Sequence, residues 1–273
     1  MIRRRAVRVS VFAGLAPVVA LVACQVVGGI DTISYGGDAT VQPVDDGGDA
    51  SVPPDAFSCA NLRQKPTFCR DFDDDSSFSE GFAVHGTGVT GADSVLASSQ
   101  PKSFFATLTA NGGSPMAYMD RVFEAGQELH LELDVALPGE PLERASVVKL
   151  YDGDHGHNLQ FFARPGSAWV GQTFPKDAGD GATDDDLGTL ITDQINFEQW
   201  KHVVIDFRFE KNYATVQVFD QITGERHQAI VRIVGQWKPG PQTLQLGLMY
   251  VTNKAGQTWT VREDNILVNI DPP

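Results

Sequence analysis

Apolar and polar residues alternate with a period of two over most of the chain beyond Phe57, the spacing that a strand with one buried face requires. In Glu128–Leu137, Leu129, Leu131, Leu133 and Val135 fall on one side, and His130, Glu132, Asp134 and Ala136 on the other. Residues 201–209 repeat this, with Val203, Ile205, Phe207 and Phe209 inward and His202, Asp206 and Arg208 outward. The runs YATVQVF, TLQLGLMYV and TVREDNILVNI read alike; SFFATLTA, SVVKLY, NLQFFAR and SAWVGQTF are shorter candidates, most bounded by Gly, Asp, Asn or Pro. Helical spacing is confined to a window of about two turns around Asp193–Trp200. Roughly a dozen strands in one run of about 215 residues predict an all-β fold, a two-sheet antiparallel sandwich.

Two segments before Phe57 break the pattern. MIRRRAVR is basic, and VSVFAGLAPVVALVA is apolar but short and interrupted by Gly and Pro, so residues 1–23 read as an export signal rather than a membrane span. The small residues before Cys24 in Leu21-Val22-Ala23-Cys24 resemble the lipobox of bacterial lipoproteins. That resemblance implies a lipidated Cys24, whose several acyl chains anchor the protein firmly in a membrane. Gln25 after it implies the outer membrane, with the protein facing the periplasm or the cell exterior. Residues 24–56 are poor in large apolar side chains and repeat nearly the same phrase, GGDATV and GGDASV. They predict a flexible Gly/Asp/Pro linker that reaches on the order of 30 Å as a coil, followed by a domain over residues 57–273.

Charge narrows the partners. The chain has 21 Lys and Arg against 35 Asp and Glu, a formal net charge of −14. Four of the arginines lie in the first eight residues; without them 17 basic residues face 35 acids, giving −18. Such a surface repels nucleic acid and leaves calcium, sugars and basic proteins as partners. With Cys24 set aside, Cys59 and Cys69 form an even pair in a chain bound for an oxidising compartment. A disulfide between them closes about eleven residues and contributes roughly 3 kcal/mol. The reading as a metal pair lacks a second Cys or His pair at zinc-ligand spacing.

Four features in order, the early Asp71-Phe72-Asp73, the run Trp200–Phe207, the turn Asp220-Gln221-Ile222-Thr223-Gly224 and the closing Asp264–Val268, together resemble the concanavalin A-like jelly roll, nearest its laminin G-like variants. The resemblance covers about residues 57–271. It implies that the first and last strands are neighbours, with Phe72 beside the strand of Ile266 and Val268. It also implies a structural calcium held by Asp73 and Asp264, since hard carboxylate oxygens suit that ion. The alternative is that Asp71–Asp75 solvate an exposed strand end.

Laminarinase-like members of that fold carry a strand written E-x-D-x-x-E or E-x-D-x-E, whose outer glutamates are nucleophile and acid/base. Here Glu132-Leu133-Asp134 supplies the beginning, but the third place is Ala136 or Leu137, so no catalytic residue is assigned. A polar cluster over Tyr151–Asn158 offers Asp152, Asp154, His155 and His157 as donors to a ligand or transition metal, although Gly and Asp are also what a turn requires. The Asp-rich loop 176–187 lacks the alternation and final glutamate of an EF-hand. Trp237, ahead of Lys238-Pro239-Gly240-Pro241, is the tryptophan best placed for exposure as a sugar platform; Trp200 is expected in the core. No phosphate-binding glycine loop, Ser-His-Asp elbow or nucleotide fingerprint occurs. The resulting expectation is a membrane-anchored, non-catalytic module that binds glycan or a cell-envelope protein or has a structural role. The alternative is a divergent glycoside hydrolase or polysaccharide lyase.

Overall fold

The alternating runs become strands because each buries one row of side chains and leaves its backbone groups to neighbouring strands. The computed structural model describes residues 57–62, 64–74, 77–109, 115–139, 145–153, 156–164, 166–173, 188–209, 211–233, 237, 240–251 and 256–271. The export signal, Cys24, the linker, Asp154, His155 and the loop 176–187 lie outside the described residues.

Two antiparallel sheets face each other. Sheet 1 runs, in spatial order, β13 (Arg226–Arg232), β12 (Tyr213–Asp220), β11 (Lys201–Arg208), β6 (Glu128–Ala136), β15 (Thr258–Asp271), β4 (Ser103–Thr109) and β3 (Val89–Asp93). The short β1 (Phe68–Arg70) also pairs with β15. Sheet 2 runs β10 (Thr189–Ile195), β9 (Gly166–Thr173), β8 (Asn158–Arg164), β7 (Ala145–Tyr151), β14 (Gln242–Val251), β5 (Ala117–Phe123) and β2 (Ala83–Gly86). Leu129, Leu131, Leu133, Val203, Ile205 and Phe207 of sheet 1 enter one core with Leu244, Leu246, Val148, Leu150 and Phe161 of sheet 2.

First and last strands are neighbours, with Phe68 opposite Val268 and Arg70 opposite Ile266. Phe72 lies just past the end of β1 at φ 60° and stacks on Phe104 in the core. The Cys59–Cys69 disulfide ties β1 to the turn before it. The helical expectation for Asp193–Trp200 is corrected. Ile195 ends β10, and Asn196 Oδ1 accepts the Glu198 amide at 2.8 Å in a turn. Ile195 and Phe197 both enter the core, so period-two burial overrides a weak helical spacing.

Candidate functional site

The residues singled out in the sequence scatter. Asp152 is fully buried: Oδ1 accepts the amides of Gly156 at 2.9 Å and His157 at 3.1 Å, and Oδ2 is 3.0 Å from His157 Nδ1. This is a turn cap between β7 and β8, which corrects the expectation that Asp152 and His157 face a ligand. Trp237 is corrected too. It is buried between Phe207, 4.5 Å away centroid to centroid, and Phe209, and its Nε1 donates to Gln242 Oε1 at 2.8 Å. The proline- and glycine-rich sequence after it does not expose the ring.

Glu132 and Asp134 lie on the outer face of sheet 1, in a hydrogen-bonded row of acids and histidines. His130 stands between Asp206 and Glu132, with Nδ1 and Nε2 each 2.6 Å from a carboxylate oxygen. His202 Nδ1 is 2.9 Å from Asp134 Oδ1, and its Nε2 is 3.5 Å from Glu132 Oε2. Asp134 accepts further from Ser98 Oγ, Gln221 Nε2 and Asn265 Nδ2. Burial pulls the histidines down, yet the carboxylates outweigh it and hold both at about 9. Burial likewise pushes Glu132 up, and the two histidines bring it to about 2. The two histidines hold Glu132 ionised and Asp134 is enclosed by side-chain donors, so the row braces the outer face of sheet 1.

Asp264 adjoins the brace. Its Oδ2 accepts the amides of Ser98 and Ser99, each at 3.0 Å, and its Oδ1 accepts the Asn265 amide. Burial, with Asp134 and Asp73 as neighbouring charges, raises Asp264 to about 8. Asp73 accepts the Lys102 amide and is itself raised, first by burial. A divalent cation would relieve this repulsion, but the lone pairs of Asp264 already face amide hydrogens. Among the described residues no group of three or more His, Cys, Asp or Glu is arranged to hold a metal ion. The acidic pair therefore fits calcium only with further oxygens from the backbone or water.

The outer face of sheet 2 differs in character. Cross-strand register aligns Asp120, Gln245, Lys149 and Gln160 in one row over β5, β14, β7 and β8. Tyr118 flanks it on one side, with Tyr151 and Asn158 on the other. Gln245 lies within hydrogen-bonding reach of the Tyr118 hydroxyl, which burial, Asp120 and Tyr151 raise above the usual phenol range. His85 of β2 stacks on Tyr118 at 5.2 Å and reaches Asp120 at 3.2 Å. Farther along, Arg164 covers the Trp169 ring at 4.9 Å. A backbone device shapes the face. Gly247 sits at φ 119° in a bulge of β14, where a Cβ would come within 2.6 Å of the Ala117 carbonyl, so the strand closes tightly on Tyr118. The Gly247 amide turns inward to Oε1 of Glu263, 3.0 Å away and wholly buried between the sheets. The aligned amides, phenols and one ammonium present hydrogen-bonding groups beside aromatic surfaces, the combination that sugar hydroxyls and ring faces require.

The sequence reading missed this face. SVVKLY, NLQFFAR and TLQLGLMYV were legible as strands, but their lateral register, which makes the row, is set by pairings over long separations.

No family model and no curated protein matches the chain. Solved structures do resemble it. An endo-β-1,4-glucuronan lyase from the fungus Trichoderma reesei superposes with a TM-score of 0.54 at 11% identity, covering 75% of this chain and 95% of that one. An alginate lyase from a Chlorella virus gives 0.49 at 8% identity, covering 70% and 93%. A galactose complex of the lectin UEA-II gives 0.48 at 8%, covering 75% and 100%. The first of these, with the sheet topology, establishes the fold as a two-sheet antiparallel jelly-roll sandwich.

Proposed function

We propose that the domain is a non-catalytic glycan-binding module that lays a polysaccharide across the outer face of sheet 2. The observation that carries this reading is the cross-strand row Asp120–Gln245–Lys149–Gln160 set between Tyr118 and Tyr151. Lectins and polysaccharide lyases sharing the fold make sugar a natural ligand class, an argument from analogy that the row makes specific. In this reading Cys24 carries the lipid, the linker spaces the domain from the outer membrane, and the glycan belongs to the cell envelope or its surroundings.

Binding of the purified protein to a polysaccharide panel tests it. Tyr118→Ala and Gln245→Ala are expected to weaken binding by about tenfold each, while Glu132→Gln on the opposite face leaves it unchanged. Binding indifferent to both sheet 2 substitutions would overturn the assignment.

A lyase-like role is the second reading, favoured by the His85–Tyr118–Asp120 contact, which sets proton-transferring groups beside the row. Unsaturated sugar ends released by the wild type and lost in Tyr118→Phe would establish it over simple binding. Calcium between Asp73 and Asp264 belongs to the proposal as a structural pin of the terminal strands. Its removal by chelator is expected to lower the melting midpoint of the wild type but not of Asp264→Ala; an unchanged wild-type midpoint removes the ion from the account.

A further inference from the structure

Lys149 is more than a neutral sugar needs. Its side chain is half-buried in the middle of the row, with the ammonium 4.7 Å from the Tyr151 ring centroid. Among the described residues no carboxylate stands in ion-pair range of it, whereas the most deeply buried cations are matched: Arg70 reaches Asp74 at 3.3 Å, Lys201 reaches Asp220 at 3.0 Å and Arg262 reaches Asp93 at 2.6 Å. Burial lowers the Lys149 pKa with no counter-charge opposing it.

A partly desolvated cation without an anion costs stability, and such groups gather where a ligand completes them. The lateral neighbours do not substitute for that anion. Gln245 and Gln160 are neutral, and Asp120 lies two strands away, roughly 10 Å at the usual spacing, where it is engaged by His85.

Resting on the glycan-binding reading above, we infer that the ligand of this face is an acidic polysaccharide whose ring substituent, a carboxylate or a sulfate, sits on the Lys149 ammonium. Gln160, Gln245 and the hydroxyls of Tyr118 and Tyr151 then take the sugar hydroxyls. Asp120, at the β5 end of the row, repels a second anion there and so gives the chain a preferred placement. The net charge of −14 opposes a polyanion at long range. Screening confines that opposition to about 8 Å at physiological salt, so recognition is decided by contacts.

The test uses the full chain and three soluble polymers on one cellulose backbone: hydroxyethylated (neutral), oxidised to the uronate, and sulfated. Isothermal titration is expected to give at least about tenfold tighter binding to one or both acidic polymers than to the neutral one. Lys149→Met is expected to erase that preference while leaving neutral binding unchanged, and Lys149→Arg to keep it within about threefold. The stronger acidic polymer identifies the anion as carboxylate or sulfate. Melting curves check folding, since removing a partly buried cation does not lower the midpoint. Equal binding of all three polymers, or an acidic preference that survives Lys149→Met, overturns the inference and leaves the glycan reading standing. Binding to none of the three overturns both.

Discussion

Glu263 shows how one side chain can belong to both sheets. It lies in β15 of sheet 1, yet its Oε1 accepts the Gly247 amide of sheet 2 at 3.0 Å. Complete burial raises its pKa well above the ordinary glutamate range, and the single amide bond opposes this only in part. The folded state therefore holds the neutral acid, and the stability this contributes is present below the ordinary pKa and drains away as pH rises towards the folded value. Glu263→Gln keeps an acceptor for Gly247 and cannot ionise. It is expected to cost about 1 kcal/mol at pH 5 through an extra buried donor, and to be less sensitive than the wild type to pH between 6 and 9 in thermal melts. A wild-type slope unchanged in the variant would show that the acid does not ionise on unfolding. Part of this was legible. Val261 and Glu263 share parity in the closing strand, which marks Glu263 as inward. The same alternation fails two residues later, because Asn265 at φ 54° inserts an extra step and Ile266 and Val268 become the inward residues. An extra step of this kind has no signature in a period-two pattern.

At the level of elements, the strands with strong alternation were readable, and those without it were not. β2 is exposed at every position and β13 at four of seven, so neither carries an apolar row for a sequence to reveal. They exist because β5 and β12 offer edges to pair with. β1 is the extreme case, three residues held on β15 by three residue pairs. Its anchors lie outside the ladder: the Cys59–Cys69 bond, the Cys59 amide on Asp71 Oδ2 at 2.9 Å, and Phe72 in the core. Reducing the disulfide, or Cys69→Ser, is expected to release up to about 3 kcal/mol of constraint, and to do so locally. Amide exchange should accelerate at Phe68–Arg70 while β6 and β11, at the centre of sheet 1, stay protected. Uniform loss of protection across the sheet would instead make β1 part of the global folding unit.

For the whole molecule, the outer face of sheet 1 ties stability to pH through the brace of acids and histidines. The two histidines have folded values raised to about 9 from 6.5, so their contribution is complete below 6.5 and is lost as pH rises through about 9. In the calcium-free protein Asp264, raised to about 8 from 3.8, acts in the same direction, its contribution declining from about pH 4 and gone above 8. Glu132, lowered to about 2 from 4.5, acts in the opposite sense: its contribution is complete above 4.5 and is lost as pH falls through 2. These three trends intersect on the acid side of neutrality. The melting midpoint should therefore peak near pH 5 and fall on the order of 5 °C or more by pH 9.5. The double variant His130→Gln, His202→Gln should begin lower at pH 5 and decline less steeply between 6.5 and 9.5, because the charges that reward acidic conditions are gone. Since the brace lies across the core from the proposed glycan face, sugar binding at pH 6 is expected to survive this double variant. Binding lost together with the slope would mean that the two outer faces are coupled through the core, with the Glu263–Gly247 bridge as the first connection to break.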